Sequence, residues 1–332
     1  MRYLLFIFLT VFISCDNIIQ NDKDDDMQKI VYSSIIDSTG IYQIFTNNIE
    51  GNNKNKLTSL PKSCIRPIWS PDKENILFLS DYNVYVIKKD GTELKQVSPE
   101  GYGIGSLGLY APSWSTDGKK IYYIAGSKNI VIINIVENKI DIIPFDLWGG
   151  YADISFHEDK IVYVGTSHGN LCVMNIDGSN AKDLTADSMW CWWPQWSSYN
   201  DYIAFKNSFR GINLFIMDTM GTVIKKIHAN PGRLKWSPDG TKLLFDGSYD
   251  LISGIYIYDI IEDSITNLED DIGENLVHSE TTCGVDWSSD GNYILYHART
   301  NPVQIVIVDL VNKKQNIIIS DYNNKYATFR PR

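Results

Sequence analysis

Histidine and cysteine are the scarce residues of this chain, five of each in 332. The histidines, His157, His168, His228, His278 and His297, form no HxH or HxxxH pair, and the cysteines form no CxxC, so neither type has the spacing of a zinc site. Cys64, Cys172, Cys191 and Cys283 are too few to staple a core of this size as a disulfide scaffold, and Cys64 and Cys191 read as small buried residues. Positive charge is short as well: the net charge of -10 argues against a nucleic-acid partner. Long alanine- or leucine-rich helical stretches are missing, and so is an apolar run of the roughly 20 residues that cross a bilayer. Tyrosine is plentiful at 20, with isoleucine and asparagine, a bias toward strands and turns. An all-β chain of this length needs a closed or repeating architecture, because open sheets rarely grow so large.

The first residues, MRYLLFIFLTVFISC, carry one arginine, an apolar run over 3–13, then Ser14 and Cys15. The run fits the hydrophobic region of a secretory signal. FISC resembles the bacterial lipoprotein signal, in which a small residue precedes a cysteine that is lipidated and becomes the mature N-terminus; Phe12 departs from the aliphatic residue usual at its position. This gives a signal peptide over 1–14, lipidation at Cys15, and an acidic tether over 15–27 that contains DNIIQNDKDDDM. The folded domain then spans 28–332.

Self-similarity organises that domain. RPIWSPDKENILFLS returns as APSWSTDGKKIYYIAG, ADISFHEDKIVYVG, WPQWSSYNDYIAFKNS, GRLKWSPDGTKLLFDG and GVDWSSDGNYILYHA. The aromatic anchors of these units are Trp69, Trp114, Phe156, Trp196, Trp236 and Trp287. Each is followed by a turn of the SPDG kind, where Asp caps through its side chain and Gly supplies a positive φ. Two short apolar or alternating strands come next, such as NVYVIKKDG or QIVIVDLVNK. The unit is a four-stranded antiparallel blade of about 40 to 45 residues, the pattern of a β-propeller.

In the run PxWSPDG…IxFxS…IyvmdxdG…LT the chain resembles the TolB-like propeller repeat, a motif specific for fold and weak for function. Residues 29–59 supply the later strands of a blade but lack its WSPDG strand, and KYATFRPR at the C-terminus looks like the missing piece, with Phe329 as a seventh anchor. The expectation is an all-β, seven-bladed propeller closed by its C-terminal strand. The alternative is a six-bladed ring, which the resemblance to TolB implies, with a decorated N-terminal segment.

MWCWWPQW places four of the nine tryptophans within 190–196. Trp196 belongs to the repeat and should pack between blades, whereas Trp190, Trp192 and Trp193 match no aromatic repeat position. They fall where one blade joins the next, on the face around the channel mouth, where propellers commonly bind ligands. The position three before each anchor adds Arg66, Asp153 and Arg233, and Trp148, Tyr151, Tyr102 and Tyr110 extend the aromatic character. The candidate ligand-binding set is therefore Trp148, Trp190, Trp192, Trp193, Arg66, Asp153, Arg233 and Tyr102, suited to a sugar ring or a partner's loop.

Other motifs carry less. GTSHG over 165–169 matches the GxSxG of serine hydrolases, but it joins two strands of a hairpin rather than a strand to a helix. GIGSLG over 103–108 matches GxGxxG but leads into another blade. His278, Glu280 and Cys283 form the one local group with mixed metal-ligand character, but a solvated loop with a buried thiol is the favoured account; no metal and no cofactor are expected. His297 reads as a structural residue of its blade. The resulting expectation is a monomeric, non-catalytic lipoprotein of the bacterial cell envelope, membrane-anchored through Cys15, whose propeller mouth binds an envelope protein or a glycan. The competing class is an enzyme, a propeller-type polyuronate lyase or related hydrolase working at the same mouth. Oligogalacturonate lyases resemble this chain in repeat type, and that resemblance implies a propeller-borne metal site.

Overall fold

A computed structural model describes residues 29–35, 37–104, 112–126, 128–144, 151–165, 169–185, 190–208, 211–273, 284–298, 303–318 and 324–329. They form seven four-stranded antiparallel sheets, arranged as a seven-bladed β-propeller. The innermost strands of blades 1 to 7 are, in order, Asn324–Phe329, Cys64–Trp69, Ser113–Trp114, Ala152–Ile154, Cys191–Trp196, Ala229–Trp236 and Val285–Trp287. A short helix, Leu268–Ile272, follows the outermost strand of blade 6.

The repeat motif is explained by one turn used six times. The serine after each anchor, at 70, 115, 155, 197, 237 and 288, donates its backbone N–H to the carbonyl five residues on. The hydroxyls of Ser70, Ser115, Ser237 and Ser288 donate to the aspartate two residues later. The same hydroxyls accept the N–H of the fifth residue. That aspartate in turn accepts a backbone N–H two residues beyond itself. Serine and aspartate thus satisfy the donors that a tight turn leaves over.

This turn moves one anchor. Ser155 makes the blade 4 turn, its N–H bonded to the Lys160 carbonyl and its hydroxyl accepting from the Lys160 N–H. The anchor of blade 4 is therefore Ile154, not Phe156. Phe156 lies in the turn, 42% exposed, with its ring near His157 and Tyr199. Spacing alone chose the aromatic residue; the hydrogen bonds of the serine set the register two residues earlier.

The anchors lock neighbouring blades together. Trp196 packs with Val162 and Val164 of blade 4 and with Ile203 and Phe205 of its own blade. The indole Nε1 of Trp114 donates to the Ile68 carbonyl at 3.4 Å, that of Trp236 to Gln195 at 3.1 Å, and that of Trp287 to Lys235 at 3.2 Å. Each acceptor is the residue just before the preceding blade's anchor. One indole thus buries apolar area between blades and satisfies a backbone group of the next strand, which is why tryptophan recurs here.

The ring closes as the sequence reading expects. Residues 324–329 pair with the strand Lys29–Ile35, Phe329 opposite Ile30, and complete blade 1 from the C-terminal end. Phe329 packs with Leu295 and Ile305 of blade 7 and with Ile30 and Tyr32 of blade 1. Thr328 adds a bond from its hydroxyl to the Pro67 carbonyl of blade 2.

Candidate functional site

Along the axis lies a channel of 860 Å³ to which all seven inner strands contribute. Arg66, Trp193, Arg233 and Gly284 line it toward the side where blade joins blade, and Pro71, Thr116, Phe156 and Ser198 line it toward the serine turns. Arg66, Trp193, Arg233 and Gly284 share one repeat position, three residues before their anchors. With the anchor corrected to Ile154, blade 4 places Tyr151 there rather than Asp153.

Several of these strands bend at this level. In blades 1, 2, 5 and 6 the register between innermost and second strand shifts by one residue, a β-bulge. Arg66 and Trp193 take φ values of 56° and 50° inside theirs, each followed by a proline. A bulge lets one residue of the inner strand turn out of the alternating pattern, and here it aims Arg66 and Trp193 at the channel. Backbone strain of this kind costs about 1 kcal/mol or more per residue and persists only where the surroundings enforce it.

Asp153 sits one residue before its anchor. Its Oδ2 accepts the N–H of the next blade's anchor, Trp196, at 2.7 Å. Asp286 occupies the same position in blade 7 and accepts the N–H of Phe329 at 3.1 Å. Asp153 is thus a strut between blades 4 and 5 as well as part of the channel wall. One edge of the residue reaches the channel while the carboxyl lies within the ring, and burial pushes its pKa up to about 6 against the two backbone donors and the charge of Lys235.

The tryptophans divide. Trp193 lines the channel, with the Lys206 ammonium 5.1 Å from its ring centroid. Trp192 does not line it: its Nε1 donates to Ser208 Oγ at 2.9 Å and its ring meets Tyr151 edge-on at 5.4 Å. Trp193 also meets Tyr151 edge-on, at 6.3 Å. Trp190 is 45% exposed and lies outside the channel wall. Both Trp192 and Trp193 lie in the inner strand itself, not in the segment that joins the blades. Tyr102 is half-buried against the core between blades 2 and 3, its carbonyl accepting from Tyr123 Oη at 2.9 Å. Of the eight expected ligand-binding residues, the channel brings together Arg66, Asp153, Trp193 and Arg233. Trp190, Trp192 and Tyr102 stand apart from it. Trp148 and Cys15 lie outside the described residues, as do His278, Glu280, Cys283 and most of GIGSLG.

The structure adds His297, which sequence reasoning left as a structural residue. It is 1% exposed and belongs to the channel wall. Its Nε2 accepts the backbone N–H of Ala327 in the closing strand at 2.9 Å, which places the proton of the neutral ring on Nδ1. That Nδ1 faces Gly284 and makes no hydrogen bond; the Gly284 carbonyl is near enough to act on it electrostatically but outside bonding geometry. Burial, reinforced by the charge of Arg233, holds the ring neutral, its pKa pushed down to about 4.

A signal for this residue exists in the repeat. The second-strand residues paired with the anchors are Ile30, Ile76, Ile121, Ile161, Ile203, Leu243 and Ile294. Three residues further along stand Leu79, Ile124 and Val164 in blades 2 to 4, but Lys206, Asp246, His297 and Ser33 in blades 5, 6, 7 and 1. Four of the seven blades carry a polar side chain here, and in three of them, blades 5, 6 and 1, the inner strand beside it is bulged. Asp246 uses its carboxylate to accept the Arg233 N–H.

Cys64, Cys172 and Cys191 are buried thiols, and burial raises the pKa of each, to about 12 for the latter two. None has thiolate character at neutral pH. The flanks of GTSHG form a β-hairpin, Val164 paired with Leu171, with none of the strand-to-helix elbow that a hydrolase serine needs. Among the described residues no three of His, Cys, Asp and Glu come close enough together to hold a metal ion.

No family model and no curated protein sequence matches the chain. Solved structures do match in shape. TolB from Acinetobacter baumannii aligns at a TM-score of 0.59 and 14% identity, over 92% of this chain and 67% of that one. An oligogalacturonate lyase in complex with manganese aligns at 0.64 and 12%, over 81% of this chain and 82% of the other. A 6-phosphogluconolactonase homologue from Bacteroides uniformis, itself assigned only provisionally, aligns at 0.59 and 13%, over 92% and 99%. At these identities the likeness is one of fold, and the chain is a seven-bladed β-propeller similar in architecture to all three.

Proposed function

We propose that this protein is a lipid-anchored member of the TolB-like repeat group that works in the bacterial cell envelope as a monomer and binds an envelope protein or a glycan at the mouth of its channel. The observation that carries the reading is the channel wall, where bulged strands from separate blades aim Arg66 and Trp193 at one opening beside Arg233. A strained backbone that serves no hydrogen-bond ladder is best accounted for by what its side chains meet. Trp193 supplies a flat face backed by Tyr151 and Lys206, and the arginines supply donors, the usual make-up of a site with a few convergent polar groups on an aromatic floor. The segment before residue 28 serves as signal, lipid attachment at Cys15 and tether.

Titration of the fragment starting near Asp16 with acidic and neutral oligosaccharides, followed by tryptophan fluorescence, tests the binding. A saturable change that Trp193→Ala abolishes supports a glycan at the mouth. No change with any sugar directs the search to a protein partner by crosslinking in intact cells, and crosslinks confined to the blade rims sink the mouth as the site. The second reading, a polyuronate lyase or related hydrolase at this mouth, draws on the adjacency of His297 and Arg233 in the channel. Turnover of acidic oligosaccharides with added divalent metal would establish it.

A further inference from the structure

The chain is acidic, yet its channel is not. Arg66, Arg233 and Lys235 line it; Lys235 is paired with Asp286 at 3.5 Å, and the one carboxylate of the lining, Asp153, is engaged by the Trp196 N–H, so the two arginines set the sign of the wall. A protein of net charge -10 whose channel wall carries arginines focuses a positive field into that channel.

The basic groups have a definite arrangement. Trp193 of blade 5, Arg233 of blade 6 and Gly284 and His297 of blade 7 are neighbours in the ring, and Arg66 of blade 2 faces them with blade 1 between. Gly284, at φ +153°, sits between His297 and Arg233: a Cβ there would touch His297 Nδ1 at 3.7 Å and Arg233 Cδ at 3.9 Å, both ordinary contact distances, so the imidazole and the arginine stem flank the same residue. Among the described residues no carboxylate pairs with the Arg233 guanidinium, which is exposed toward the channel. Beneath its stem sits the His297 Nδ1–H, a buried donor with no acceptor in hydrogen-bond geometry.

We propose that this group of residues is a carboxylate-binding site, in which Arg233 takes the carboxylate, Arg66 approaches it from the far side of the channel, the His297 Nδ1–H lies below as a further donor, and Trp193 carries the flat apolar face of the ligand. The proposal rests on the mouth-binding reading above and narrows it to acids. A planar guanidinium fork suits a carboxylate in two-point contact. The imidazole contributes a donor without a second positive charge, because its other nitrogen is occupied by Ala327 N–H and its neutral form is the one burial favours. The ligand chemistry, a carboxylate beside a six-membered ring face, has two natural sources: a uronic acid residue of a glycan, or the C-terminal aromatic residue of a peptide.

The test titrates the purified chain with two matched pairs, D-glucuronate against D-glucose and N-acetylphenylalanine against its amide, reading tryptophan fluorescence at neutral pH. The expected result is saturable binding by at least one acid, at least tenfold weaker binding by its neutral partner, a loss of tenfold or more for the acid in Arg233→Gln, and partial recovery in Arg233→Lys. Because Arg233 is exposed, these variants remove no core packing; unchanged near-UV circular dichroism checks this. Glucuronate alone binding assigns the source to a glycan, and the acetylated amino acid alone assigns it to a peptide. An acid and its neutral partner binding equally, indifferent to Arg233→Gln, overturns the carboxylate site and leaves the mouth reading standing. No binding by any of the four overturns the site too, and the oligosaccharide titration then judges the mouth by itself.

Discussion

Two titratable residues of the ring pull its stability in opposite directions. His297 stays neutral in the folded chain down to about 4, whereas an exposed histidine takes up its proton near 6.5. Between those values the unfolded chain binds more protons, so the stability tied to His297 is complete above pH 6.5 and drains away as pH falls toward 4, by about 3 kcal/mol in all. Protonation also removes the acceptor that Ala327 uses, loosening the closing strand. Asp153 does the reverse. Its raised value of about 6 means that the folded chain keeps a proton the unfolded chain releases near 3.8, so its contribution falls as pH rises through that window. The two slopes overlap and oppose each other. Urea unfolding from pH 4 to 7 should therefore show a shallow profile for the native sequence and a steeper loss of stability on acidification for Asp153→Asn. Identical slopes for the two proteins would mean that Asp153 is ionised throughout.

At the scale of the strand and its turn, the account depends on hydrogen bonds that repeat. Ser237→Ala removes both a donor to Asp239 and an acceptor for the Lys242 N–H, and should cost about 1 to 3 kcal/mol, read from the urea midpoint. Gly247, at φ +140°, faces the bulge of the blade 6 inner strand, where a Cβ would come within 2.2 Å of the Asn230 carbonyl oxygen. Gly273, at φ +72°, caps the short helix with nothing within 4 Å of such an atom. Gly273→Ala should cost only the roughly 1 to 2 kcal/mol of a left-handed alanine, whereas Gly247→Ala must push two strands apart and should lower the melting temperature far more. Equal shifts would show that the bulge yields freely. The bulges also explain what the sequence hid. WSPDG and its relatives are legible because a turn writes its chemistry into adjacent residues, and Phe156 misled because an aromatic residue at the right spacing outweighed the serine that marks the register. His297 was obscured because its meaning lies in comparison across blades, where Leu79, Ile124 and Val164 give way to Lys206, Asp246, His297 and Ser33.

For the whole molecule, the seven blades and the closure by Asn324–Phe329 were legible from anchor spacing and from a first blade that lacked its inner strand. The channel's chemistry was only half legible, since which side chains face the axis depends on bulges that no spacing rule announces. Closure has a mechanical consequence. A chain ending after residue 323 leaves the strand Lys29–Ile35 without its inner partner and uncovers the apolar seam between blades 7 and 1, where Phe329 meets Leu295 and Ile305. Such a chain should unfold at lower urea with a broadened transition and bind a hydrophobic dye, whereas a sharp transition at the native midpoint would mean that the other six blades hold the ring alone. The most direct measurement is fluorine NMR of the chain labelled with 5-fluorotryptophan, titrated with whichever acid or oligosaccharide binds, its resonances assigned by single Trp→Phe variants. Binding in the channel should shift the Trp193 resonance while those of Trp69 and Trp287, anchors outside the channel wall, stay in place. A saturable titration that moves Trp69, Trp287 or Trp190 and leaves Trp193 unmoved would contradict the channel as the binding site.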